Sequence, residues 1–152
     1  MIRDSFGRPL LNLRVSVTQR CNLRCPYCHR EGEEKRASNS VTEMTPEEIV
    51  RIVRIAVNLG MRKAKITGGE PLLRSDILDI VRGIARLSGL KDLSMTTNGT
   101  LLSKYAEGLR RDGLKRVNVN IPTLDNVTYH KLTGGNLQDV LNGIEAAVNA
   151  GL

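Results

Sequence analysis

Four times along the chain a short apolar run gives way to a turn of glycine or polar residues and then to a stretch with helical periodicity. The runs are Leu13 to Thr18 (LRVSVT), Met61 to Thr67 (MRKAKIT), Lys91 to Thr97 (KDLSMTT) and Arg116 to Ile121 (RVNVNI). They are brief and rich in β-branched residues, the pattern of strands buried in a parallel sheet. The first helix is predicted over 45–60, where Thr45 is the N-cap, Pro46 takes the first helical position, Glu48 completes a capping box and Gly60 terminates. Ile49, Ile52, Val53, Ala56 and Val57 give it an apolar stripe. Further helices are predicted near Asp76 to Leu87, near Ser103 to Asp112 and over Asn136 to Gly151, with Asn136 as cap. Strands alternating with helices imply an α/β fold with a parallel sheet and right-handed crossovers.

Four such units are about half of a closed eightfold barrel, which takes roughly 250 residues. The chain stops at Gly151-Leu152, where a fifth strand is due. The expectation is therefore one domain, residues 1–152, forming the N-terminal part of a TIM-type barrel. An open four-stranded sheet is the alternative.

With 40% apolar residues the 152-residue chain can close one core, and with only 3% aromatics and no tryptophan that core must be aliphatic. Few bases could be stacked on such a surface, which argues against a nucleic-acid partner. The net charge of +7 is spread along the sequence. It suits an anionic ligand, although a solvated basic face accounts for it equally. The opening MIRDSFGRPLLNL contains no apolar run long enough for a signal peptide or a membrane span. A reducing cytoplasm is expected, where a tight group of thiols is metal-binding or catalytic rather than disulfide-bonded.

All three cysteines lie in the stretch CNLRCPYCHREG, at Cys21, Cys25 and Cys28. Cys25-Pro26-Tyr27-Cys28 alone matches a redox dithiol, but a polar loop follows in place of a helix and Cys21 is surplus. Cys25 to His29 spells the c-haem attachment sequence, which needs an export route that nothing here encodes. Zinc could take the three thiols and His29, yet His29 directly follows Cys28 and is poorly placed to close a tetrahedron. A 4Fe-4S cluster uses the whole pattern: three thiolates hold three irons and leave the fourth open to a substrate or cofactor.

Cysteines at this spacing, with an aromatic residue just before the third, resemble the radical S-adenosylmethionine superfamily. Gly68-Gly69-Glu70-Pro71, ending the second strand, resembles that family's motif for the methionine amino group. Glycines admit a ligand close to the backbone and a carboxylate pairs with an ammonium. The resemblance implies that S-adenosylmethionine chelates the open iron and is cleaved by an electron to give a 5′-deoxyadenosyl radical.

Three longer stretches, DSFGRPLLNLRVSVTQRCNLRCPYC, ITGGEPLLRSD and LSMTTNGTLL, resemble the molybdenum-cofactor biosynthesis protein A family, the GTP 3′,8-cyclases. The resemblance implies a lyase that takes hydrogen from the ribose 3′ carbon of GTP and joins that carbon to guanine carbon 8. It places Arg14, Lys65 and Thr96 on GTP and Tyr27, Gly68, Gly69, Glu70 and Asn120 on S-adenosylmethionine. Lys65 stands where many members have arginine and lacks the bidentate fork. Asn120-Ile121-Pro122 replaces the usual Ser-Leu-Asp. Arg14 and Lys65 are read as functional because barrel strands are buried on both faces, where an unpaired charge is costly.

The family's second cysteine triple and arginine pair have no counterpart in these residues, so GTP cyclisation is expected to need more than this stretch. The implied partners are an electron donor and a downstream pterin-forming enzyme, with no membrane. Open sheet edges favour self-association, a homodimer being one form it can take. Two other readings remain open here: a small activase acting on a glycyl-radical partner, and an iron-sulfur or zinc module without turnover.

Overall fold

The computed structural model describes residues 2–28 and 43–152, so most of the long polar stretch after Cys28, His29 included, lies outside the described residues. Strands β1 (Asn12–Ser16), β2 (Lys63–Thr67), β3 (Asp92–Thr97) and β4 (Arg116–Val119) form one sheet in the order β1-β2-β3-β4, every pair parallel. Sequence order and spatial order coincide, as in a barrel wall wound in one direction. A doubly wound sheet would reverse direction at its middle.

Helices α1 (Pro46–Asn58), α2 (Ile77–Ala85), α3 (Leu102–Arg111) and α5 (Leu137–Asn149) follow the strands, and a further helix, α4 (Asn126–Thr133), stands between β4 and α5. α1 has the cap anticipated for it: Thr45 Oγ1 accepts from Glu48 N at 3.3 Å and the Glu48 carboxylate accepts from Thr45 N at 2.8 Å. Asn136 caps α5 by accepting from Gln138 N at 3.0 Å. Asp76 occupies the cap position of α2 without capping it. Its carboxylate is spent on the Arg74 guanidinium, with contacts of 2.7 and 2.6 Å.

Side chains alternate across the sheet as strand geometry demands. Val15, Ala64, Ile66, Leu93 and Met95 join Ile49, Val53, Ile77, Ile80, Ile84, Leu102 and Leu109 of the helices in one aliphatic core. The alternate positions form the opposite, polar face: Arg14 pairs in register with Lys65, Lys65 with Ser94, and Ser94 with Arg116. That face was expected to be buried like the other. Arg14 is exposed and Lys65 only partly covered, because among the described residues the helices pack on one side alone. No helix among the described residues is long and apolar enough to cross a membrane.

Candidate functional site

The cysteine loop leaves the end of β1 and is tied at once to the end of β2. Val17 N donates to Thr67 O at 3.0 Å, Gly69 N to Thr18 O at 2.8 Å and Glu70 N to Arg20 O at 2.7 Å, so the two segments run side by side beyond the sheet. Backbone contact here is too close for any side chain. A Cβ on Gly69 would lie 2.3 Å from Arg20 O, and one on Gly68 2.5 Å from Thr18 O. The two glycines expected from the sequence are thus explained by the approach of the cysteine loop itself, which the sequence did not reveal.

Glu70 is placed differently from expectation. Its carboxylate, anticipated as the partner of an ammonium, is fully buried. It accepts from Thr97 Oγ1 at 2.8 Å, Asn98 N at 2.7 Å and Leu72 N at 3.0 Å. Burial pushes its pKa up, against the opposing effect of those donors. The side chain therefore clamps the turn after β2 to the end of β3 and the turn that follows it.

Asn98, fixed through its backbone by Glu70, carries the connection to the cysteines. Its amide donates to Asn22 Oδ1 at 2.9 Å and lies 3.8 Å from Cys21 Sγ, while Leu23 N approaches the same sulfur at 3.5 Å. Burial pushes the Cys21 thiol up, with Glu70 and Cys25 adding to this and the Leu23 and Asn98 donors opposing. Cys28 N donates to Cys25 O at 3.1 Å, closing a turn over Cys25-Pro26-Tyr27-Cys28. Cys21 and Cys25 are half-buried and Cys28 is exposed. Among the described residues they are not drawn into a metal-binding cluster. The donor set nevertheless fits an iron-sulfur group: three thiols share one short loop and two N–H groups already point at the first, the outer contacts that orient thiolate ligands.

The other anticipated residues fall into two groups. Tyr27 comes together with Asn120, its phenol raised by desolvation and by the Cys25 thiol and eased by the Asn120 side chain. Asn120 extends the sheet past β4, its N–H donating to Thr97 O at 3.0 Å. Thr96, Arg14 and Lys65 lie on the polar face. Thr96 is near the loop end of β3, while Arg14 and Lys65 are deeper. Around the latter two the face forms a depression of about 230 Å³, lined also by Lys63, Asp92, Ser94 and Arg116. Arg116 is held by Asp92 at 2.6 Å. Arg14, Lys63 and Lys65 make no ion pair among the described residues.

Sequence reasoning missed Lys63 and Arg116. The two-residue spacing of Lys63 and Lys65 on a strand was the available signal, since it puts both on one face. It also missed α4, which seats the cysteine loop: Arg24 N donates to Thr133 O at 2.9 Å, and a Cβ on Gly135 would meet Leu23 Cδ2 at 2.6 Å.

Known proteins resemble the chain at two levels. A probable GTP 3′,8-cyclase of Archaeoglobus fulgidus is 54% identical over 153 residues, covering 100% of this chain and 49% of that protein. One from Thermococcus kodakarensis is 54% identical over 149 residues, covering 97% and 47%. The chain thus spans about half the length of these relatives. Among solved structures, Streptococcus suis SuiB bound to S-adenosylmethionine superposes with a TM-score of 0.74 at 21% identity, over 93% of this chain and 30% of that one. Methylornithine synthase (PylB) superposes with a TM-score of 0.72 at 21% identity, over 93% and 42%. Those likenesses establish the fold, four βα units of a partial barrel. The profile of the radical SAM superfamily matches residues 15–152, which takes in the end of β1, the cysteine loop, the glycine turn and strands β2 to β4, and the chain belongs to that superfamily.

Proposed function

We propose that this chain is the radical SAM part of a GTP 3′,8-cyclase of molybdenum cofactor biosynthesis, a lyase that converts GTP to (8S)-3′,8-cyclo-7,8-dihydroguanosine 5′-triphosphate. The observation that carries this reading is the set of cations Arg14, Lys63 and Lys65, without an ion pair among the described residues, on the polar face of the two strands whose far ends lead into the cysteine loop and the glycine turn. Nothing in a purely structural role requires three like charges there, and a polyanion is the ligand that would relieve their mutual repulsion. The likeness to probable GTP 3′,8-cyclases supports GTP as that polyanion.

On this reading Cys21, Cys25 and Cys28 hold a 4Fe-4S cluster. Bound together, the cluster and S-adenosylmethionine supply the one-electron cleavage that gives a 5′-deoxyadenosyl radical. The backbone of Tyr27, Gly68 and Gly69 and the Asn120 amide hold the cofactor, with Glu70 keeping the turn in shape from behind. Arg14 and Lys65 take phosphate oxygens, Lys65 as a point charge, and the Thr96 hydroxyl faces the nucleoside. An electron donor and a downstream pterin-forming enzyme are the partners this chemistry requires.

The test separates the two ligands. Lys65→Ala should weaken GTP binding to the reconstituted chain, measured by calorimetry, by about 1.5–3 kcal/mol, the loss of one charge-assisted bond. Binding of S-adenosylmethionine should be unchanged. Equal losses for both ligands, or a wild-type chain with no GTP affinity, would contradict the assignment.

A further inference from the structure

The register of the sheet lays one row of polar side chains across all four strands. Arg14 stands beside Lys65, Lys65 beside Ser94 and Ser94 beside Arg116, all on the polar face and all lining the depression there. Neighbouring strands are about 4.8 Å apart, so Arg14 and Lys65 are one interval apart while Arg116 lies two intervals, about 10 Å, beyond Lys65. Ser94, buried between the two long cations, is too short to fill that gap. The row is therefore a pair of adjacent cations, a dip, and a third cation on the far side.

Arg116 differs from the other two in being held by an acid. Its Nη2 donates to Asp92 Oδ2 at 2.6 Å. Asp92 has Lys63 beside it in register, yet makes its ion pair with Arg116 on the next strand. The Arg116 side chain is 50% exposed, and an ion pair so open to water adds little to stability. Orientation is the effect that remains. A guanidinium is planar, so one bond at Nη2 sets the tilt of the whole fork and leaves the other N–H groups to meet the oxygens of an anion.

We propose that Arg116, oriented by Asp92, is a further phosphate-binding residue that makes this face select a triphosphate over a diphosphate, the phosphates lying in a line across the strands. The inference rests on the reading of the polar face as a polyanion site. A pyrophosphate is short enough to be met by Arg14 and Lys65 alone. A third phosphate adds length and charge, and on this row the added length leads over Ser94 to Arg116, where the fork can make charge-assisted bonds.

Calorimetry of the chain with inorganic pyrophosphate and inorganic triphosphate, at one ionic strength and without divalent cations, tests this. Wild type should bind triphosphate more tightly. Arg116→Ala should weaken triphosphate roughly tenfold or more, the loss of one charge-assisted bond, and leave pyrophosphate within about twofold. The retained pyrophosphate affinity also reports that the variant is folded. Equal losses for both anions would overturn the proposal, since a diffuse basic face that loses one charge behaves in that way. So would the absence of any loss. Asp92→Ala separates orientation from charge: the face becomes more positive, so simple attraction would tighten triphosphate binding, whereas lost orientation weakens it. Tighter binding would overturn the role given to Asp92. A wild-type chain that binds neither anion, or a Lys65→Ala variant that binds pyrophosphate as wild type does, would instead overturn the polyanion reading, and this proposal with it.

Discussion

Glu70 shows how one residue can matter to the site without meeting a ligand. Three donors converge on its buried carboxylate, from Leu72 after β2, Thr97 at the end of β3 and Asn98 just beyond it. Glutamine at this position offers one oxygen to those donors and turns an amide against the rest. Glu70→Gln should therefore cost about 1–3 kcal/mol, the range for stranding a buried donor, as read by chemical denaturation. The pH dependence has a defined sign. Burial raises the folded-state pKa of this carboxyl. A raised acid contributes its full stability below the ordinary carboxylate range and loses it as pH rises through the folded value. The stability gap between wild type and Glu70→Gln should narrow over that interval, and a gap that widened would show that the donors outweigh burial.

At the scale of elements, α5 meets the loop after β3 through Gly143. A Cβ there would come within 2.3 Å of Gly99 O and 3.0 Å of Leu102 Cβ. Alanine is the better helix former by about 1 kcal/mol, but overpacking against backbone costs about 1–3 kcal/mol. Gly143→Ala should be destabilising by denaturant titration, and a stabilised variant would mean that the helix is free to shift. The same elements show what was legible beforehand. α1 was readable because its Thr-Pro-x-Glu cap and its apolar stripe agree, and α5 because Asn136 precedes a periodic run. α4 was not, because only Tyr129 and Thr133 of its residues are buried while Val127 is 77% exposed, so it carries no apolar stripe. Its end signals, the Asp125 cap and Gly134 with φ of +73°, were present but short of a pattern to terminate. The cysteines and both glycines were visible as motifs. That Glu70 turns inward was not, since its partners Thr97 and Asn98 lie 27 and 28 positions away.

Across the whole molecule, the sheet wound in one direction gathers the loop of β1 and the turns of β2 and β3 at a single edge, and its polar face carries Arg14, Lys63 and Lys65, which make no ion pair among the described residues. That arrangement puts the cysteine loop and the glycine turn at the C-terminal ends of the strands that carry Arg14 and Lys65. The chemistry open to this chain depends first on what the three thiols bind. The direct measurement is metal and sulfide analysis of the anaerobically reconstituted chain, joined to EPR of its dithionite-reduced form with and without S-adenosylmethionine. About four irons and four sulfides per chain are expected, with a signal that changes when the cofactor occupies the open iron, and loss of the cluster in each of Cys21→Ala, Cys25→Ala and Cys28→Ala. Stoichiometric zinc without sulfide, or a cluster signal indifferent to S-adenosylmethionine, would contradict it.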